Sequence, residues 1–180
     1  MPDNTTPSLS ASAGEDLFNY AVGREDIKWL LDSVFRAEGT EANTVEYELQ
    51  LLKIISVGWA IAYYLEDTPL RTEMLTAYWG FVREFSATLS ESAGLFTGQD
   101  INYFELVKQR LDTYLQAMGQ AEHGTEPVQV IGPVFGELCG NAEDPFASLV
   151  GSKLFTHALA QVHEYLTASE LKGSSPSPQA

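Results

Sequence analysis

The side chains best suited to metal binding or acid–base chemistry stand near the end of the chain, where His157 and His163 share a segment with Glu164. Two imidazoles and a carboxylate are common parts of such sites. On a helix, however, a separation of six positions turns the two histidines about 120° apart, and Glu164 lies a further ~100° round. Packed or surface histidines are therefore the favoured interpretation, and a metal or catalytic site is the less favoured one.

Motifs for covalent or nucleotide chemistry are absent from the sequence. It contains no Gly-x-Ser-x-Gly elbow, no Gly-x-Gly-x-x-Gly or Walker loop, and no Glu-x-x-His pair of a di-iron bundle. Cys139 is the only cysteine, and a small buried hydrophobe is its commoner role. We therefore predict no catalytic residue, no metal ligand and no cofactor, and the enzyme question stays open with a preference for no.

Aromatic residues are concentrated in one part of the chain. Seven of the 20 fall between positions 59 and 85, on two helices joined by a short turn and so expected to be antiparallel. Rings at similar heights either fill the core, which we favour, or line a cleft for a ligand. The candidate ligand-binding residues of that cleft are Trp59, Tyr63, Arg71, Tyr78 and Trp79, with Arg71 near a helix N-terminus that favours anions.

Two further features indicate a contact surface for another protein. Trp29 points about 200° away from Ile27 on its helix and so leaves the main apolar stripe. Gly132 and Gly136 recur four positions apart, which would let another helix backbone approach closely. We predict Trp29, Gly132 and Gly136 as interface residues, with a partner protein or a second copy of the chain as occupant.

The elements that position these residues are predicted from apolar spacing, which has a helical period almost throughout. The sequence predicts an all-α, single-domain bundle of five to six helices. The segment 128–138 alternates like a strand at its start, but a helix is favoured because no second strand is available. The predicted helices cover residues 24–37, 44–66, 69–92, 100–118, 128–138 and 145–171, with a shorter helical segment over 16–22 as a further possibility.

Length and composition set the remaining limits. The 180 residues suit one domain, predicted over 15–172, with disordered tails at 1–14 and 173–180 that are poor in apolar residues. A formal net charge of −15 argues against direct binding to nucleic acid or to anionic membranes. The lack of a visible secretory signal and the single cysteine lead us to expect a soluble cytoplasmic protein.

Two functions from different classes are compatible with these observations. The leading hypothesis is a non-catalytic helical interaction module that associates with itself. The alternative is a binding protein for a small apolar or aromatic ligand held between the helices at 44–66 and 69–92. A weaker third hypothesis is an acidic protein that occupies the nucleic-acid site of a basic partner.

Overall fold

The computed structural model describes residues 8–36, 39–98, 100–169 and 171. Within these ranges the chain forms seven helices and no strand, which confirms the all-α bundle; the first helix contains the shorter segment that the sequence left possible over 16–22. In chain order the helices are α1 (Leu9–Val22), α2 (Glu25–Ser33), α3 (Ala42–Tyr64), α4 (Leu70–Thr97), α5 (Tyr103–Gln120), α6 (Pro127–Leu138) and α7 (Pro145–Ala168).

Helix α1 is longer than the segment predicted over 16–22, because it begins at Leu9, inside the range predicted as a tail at 1–14. Ser8 caps this helix by accepting a hydrogen bond from the backbone N–H of Ala11 at 3.2 Å. Small residues let α1 lie close to α4: a Cβ added at Gly14 would be 2.8 Å from the Cβ of Ala77. A polar, Ser/Ala-rich segment is therefore ordered by close packing. Residues 1–7 and the predicted tail at 173–180 lie outside the described residues.

Helix α3 is the centre of the bundle and packs against α1, α2, α4, α5 and α7. Its residues are apolar on nearly every side, as a central helix requires. Two of its three charged residues are also enclosed: Glu48 is 4% exposed and Lys53 is 2% exposed. Both are paired with charges on neighbouring helices, because a buried charge without a partner would be strongly destabilising.

Two helix ends bear on the site described below. Helix α2 ends at Ser33, before the predicted end at residue 37, where the backbone N–H groups of Val34 and Phe35 both donate to the carbonyl of Leu30. The segment 128–138 is helical, as favoured from the sequence, and Pro127 occupies the first turn of α6. None of the helices in the described ranges is both long enough and apolar enough to cross a membrane.

Candidate functional site

The cleft predicted between the helices at 44–66 and 69–92 is closed. Tyr78 is fully buried and donates its hydroxyl to the backbone carbonyl of Ile54 at 2.7 Å. The ring of Trp79 lies directly against Gly58, where an added Cβ would be 2.5 Å from Cζ2 of the indole. Because Gly58 has no side chain, α4 closes on α3 with aromatic rings filling the contact. Tyr78 is therefore a core residue and Trp79 is half-buried against the core, so these two rings fill the contact between α3 and α4 rather than line a cleft.

The other members of the predicted cleft lie elsewhere. Trp59 and Tyr63 stack on each other with ring centroids 5.0 Å apart, and the ring of Trp59 also contacts Phe155 of α7. Arg71 is half-buried in the first turn of α4. The five predicted residues are thus not brought together, because consecutive positions on α3 point about 100° apart and so face different neighbours.

Trp59 and Tyr63 instead border a groove along α7, which we call the α7 groove. It consists of two adjoining cavities of about 750 and 570 Å³ that share Val128, Thr156 and Ala160. The larger half is lined in addition by Asp26, Trp29, Leu30, Ser152, Lys153 and His157. The smaller half is lined in addition by Trp59, Tyr63, Tyr64, Glu126, Pro127, Phe155 and Leu159.

The floor of the α7 groove is a row of small side chains. Ser152, Thr156 and Ala160 follow one another at four-residue spacing, and so lie along one face of α7. Large aromatic side chains flank this row on its two sides, with Trp29 60% exposed on α2 beside the larger half and Tyr63 56% exposed on α3 beside the smaller half. A narrow floor between exposed aromatic walls is suited to binding an apolar object, because rings supply large contact areas at low entropic cost.

The charges at the α7 groove nearly cancel. Asp26 accepts a hydrogen bond from the ammonium of Lys53, with Nζ and Oδ1 2.8 Å apart. Lys53 also donates to the carbonyl of Gly23 at 2.8 Å and lies 4.2 Å from the ring centroid of Tyr20. The remaining charged residues of the lining are Glu126 and Lys153, one of each sign. On a chain of net charge −15 the groove is therefore a nearly neutral surface.

A second polar centre is buried where α3 and α5 meet. Arg110 donates two hydrogen bonds to the carboxylate of Glu48, at 2.8 and 2.7 Å. Burial, with the nearby charges of Glu48 and Asp144, raises the pKa of the Cys139 thiol to about 12. The thiol therefore stays protonated near neutral pH and is a poor nucleophile. This centre joins α3 to α5 through the pair of Glu48 and Arg110.

The histidines are not assembled into a site. His157 is exposed and lines the α7 groove, while the ring of His163 packs edge-on against Tyr64 with centroids 4.9 Å apart. Across the described residues, no three His, Cys, Asp or Glu side chains are grouped so that they could hold a metal ion. The arrangement gives no support to acid–base or metal chemistry at these positions.

The three predicted interface residues do not lie on one surface. Gly132 and Gly136 are buried against α7 of the same chain: a Cβ added at Gly132 would be 2.9 Å from the carbonyl oxygen of Ser148. Their close helix contact is real but internal, so the prediction that they face a partner is wrong. Trp29 does lie at the surface, in the lining of the larger half of the α7 groove.

Sequence reasoning missed the floor of the groove. Its signal was present as the four-residue spacing of Ser152, Thr156 and Ala160 on the side of α7 opposite the buried stripe. Comparison of the chain with protein-family models, curated proteins and solved structures finds no match. The α7 groove is therefore the feature of this protein that can support a functional proposal.

Proposed function

We propose that this chain is a non-catalytic interaction module that binds an apolar helical segment of a protein in the α7 groove. The observation that carries the proposal is that the two cavities flank the same row of small residues on α7, sharing Val128, Thr156 and Ala160, with an exposed aromatic residue on each side. Helix-in-groove binding uses such a surface, with apolar anchors spaced by one turn along the bound helix.

The floor favours a helix over other apolar occupants. Small side chains at four-residue spacing let the backbone of a second helix approach closely, as ridges fit between grooves. From Ser152 to Ala160 the floor extends about 12 Å along α7 at 1.5 Å per residue, so two or more turns of a bound helix fit along it. Trp29 and Tyr63 then contact the bound helix from its two sides.

A designed peptide tests this proposal without knowledge of the natural partner. The probe is an amphipathic helix with leucine on one face and glutamine on the other, followed by fluorescence anisotropy. We expect saturable binding with a Kd on the order of micromolar, corresponding to about −8 kcal/mol. Absence of binding at all attainable concentrations would contradict the proposal.

Variants locate the binding surface. Ala160→Trp fills the floor and should abolish binding, whereas Ala87→Trp introduces the same ring at an exposed position of α4 outside the groove and should leave binding unchanged. Trp29→Ala should weaken binding by about 2 kcal/mol or roughly 30-fold, the loss typical of a buried aromatic anchor. Equal binding by wild type and Ala160→Trp would exclude the groove as the contact surface.

Self-association, the form predicted from the sequence, is a narrower version of the same proposal. Each copy carries a charge of −15, so pairing brings like charges together and should strengthen as salt screens them. Sedimentation velocity at low and high salt measures this directly. A dimer that forms at high salt and disappears in Trp29→Ala would identify a second copy as the occupant, and a monomer at all concentrations would exclude it.

The volume of the larger half supports a small apolar ligand as a second candidate. A cavity of about 750 Å³ lies within the range of ligand-binding pockets, although its place is the α7 groove and not the predicted α3–α4 contact. Thermal-shift screening against a library of apolar and aromatic compounds tests it, because a bound ligand raises stability. A hit lost in Ala160→Trp would favour this candidate. A cytoplasmic location is part of both proposals.

A further inference from the structure

We infer that the helix bound in the α7 groove is basic on the faces that it turns away from the groove. This inference rests on the proposed function and specifies the partner that the groove selects. It follows from a contrast within the molecule, between a groove lining whose charges nearly cancel and a chain with 25 acidic against 10 basic residues.

The charges of the groove lining determine which residues suit the inner face of the bound helix, the face that it turns towards the groove. Asp26 is already paired with Lys53 at 2.8 Å, so it does not require a cation from outside. Glu126 and Lys153 oppose each other in sign across the two halves. An inner face with a charge of its own would be desolvated here without a partner, which is costly. The inner face of the partner is therefore apolar.

Exposed charged residues near the groove, which we call its rim, determine which residues suit the outer faces of the bound helix. Neither Glu164 nor Glu25 lines the groove, but each lies one helical turn from a lining residue, Glu164 four positions after Ala160 on α7 and Glu25 four positions before Trp29 on α2. Both are exposed. At such positions basic side chains of the partner remain partly hydrated while they approach carboxylates, which steers association and selects partners more than it adds affinity. The overall charge of −15 acts in the same direction over longer distances.

Other occupants fit these observations less well. A second copy brings another −15 charges to the same surface. Segments of the chain outside the described residues lack suitable anchors, since 172–180 contains no large apolar residue and 1–7 contains only Met1. A basic amphipathic helix from a different protein satisfies both the apolar lining and the acidic rim.

Three peptides with the same leucine face test the inference, with lysine, glutamine or glutamate on the remaining positions. We expect the lysine peptide to bind the full chain at least about tenfold more tightly than the glutamate peptide at low salt, with glutamine between them. The difference should shrink as the salt concentration rises and the Debye length falls. Ala160→Trp should abolish binding of the lysine peptide, which shows that the peptide is held in the groove and not merely by the net charge.

Charge-reversal variants place the effect at the rim. Glu164→Lys should weaken the lysine peptide severalfold and tighten the glutamate peptide, whereas Glu84→Lys, an equal charge change at an exposed position of α4, should do so less. Equal affinity for the three peptides, or tightest binding of the glutamate peptide, would overturn the basic partner while leaving groove binding intact. Failure of all three peptides to bind would overturn the proposed function itself. A chain dimer blocked by Ala160→Trp would replace the basic helix with a second copy.

Discussion

Aromatic side chains lie on two sides of helix α3, from α4 on one side and from α3 itself on the other, and only the side facing α4 is closed. On the closed side Trp79 lies against Gly58, and Tyr78 reaches the carbonyl of Ile54. On the open side Trp59 and Tyr63 stack on each other at the edge of the α7 groove. The residue types are nearly the same, so aromatic content does not distinguish core from binding surface.

Small residues have opposite consequences on the two sides. Gly58 admits a neighbouring ring, and Gly14 of α1 admits α4 itself, so the space above each is filled from within the chain. On α7 the small residues Thr156 and Ala160 are exposed, and the side chains around them line a groove. A small residue therefore marks a place of close approach, and the rest of the fold decides whether the approaching group belongs to the same chain.

The largest difference between the two sides should be found in stability. Tyr78→Ala removes a fully buried ring and should lower the free energy of unfolding by about 4 kcal/mol, the usual cost of truncating a buried aromatic residue. Tyr63→Ala, the matched change on the open side, should lower it by no more than about 1 kcal/mol because the side chain is 56% exposed. Urea denaturation measures both.

Peptide binding should depend on the two tyrosines in the opposite order, with Tyr63 mattering more than Tyr78. Tyr63→Ala should weaken the lysine peptide, while Tyr78→Phe, which keeps the ring and loses only the hydrogen bond to Ile54, should leave peptide affinity unchanged. Equal loss of stability in Tyr78→Ala and Tyr63→Ala would show that the two sides are not different in kind.

Two glycine substitutions should have a smaller effect on stability, and they test whether the close contact at Gly132 is made within the chain. Gly132→Ala places a methyl group 2.9 Å from the carbonyl oxygen of Ser148, so α6 and α7 must separate slightly. We expect a loss of about 1–2 kcal/mol in stability, which combines overpacking with the helix preference of alanine. A methyl group added at Gly80 would have no atom within 4 Å apart from the neighbouring residues and backbone of its own helix. Gly80→Ala should therefore stabilise the protein by about 0.5–1 kcal/mol. A stable Gly132→Ala protein with altered self-association would restore Gly132 as an interface residue.

The smallest predicted effect concerns the N-terminal cap of α7, the helix that carries the floor of the groove. Asp144 caps it, with Oδ1 accepting from the backbone N–H groups of Phe146 and Ala147 at 2.9 and 3.1 Å. Burial acts to raise the pKa of this carboxyl, but Thr40 and those N–H groups outweigh it and lower the pKa below its ordinary value. The cap therefore stabilises α7 fully above the unfolded-state pKa of about 3.9, and its contribution is lost as the pH falls through the lower folded-state pKa.

Asp144→Ala should cost about 1 kcal/mol at neutral pH, the typical value of an N-cap. Asp144→Asn keeps a capping oxygen without a titrating group, so its stability should fall less steeply than that of the wild type at acidic pH. Urea denaturation across the acidic range compares the slopes, and identical slopes would exclude the cap as a source of acid sensitivity.

The sequence alone determined the helical class, most helix positions and the central place of α3, because these depend on the local period of apolar residues. Pro145 after Asp144 located the start of α7, since a cap followed by proline acts within one turn. The helical state of 128–138 was also predictable, because the described chain offers no strand with which it could pair.

Only the tertiary structure decided which apolar faces are covered. Trp59 and Trp79 are equally aromatic in sequence, yet one borders the α7 groove and the other fills a contact over Gly58. The polar start of α1 becomes ordered because Gly14 allows α4 to come near. Burial depends on neighbours far apart along the chain, and a helical period records which face a residue occupies but not which helix, if any, lies opposite it.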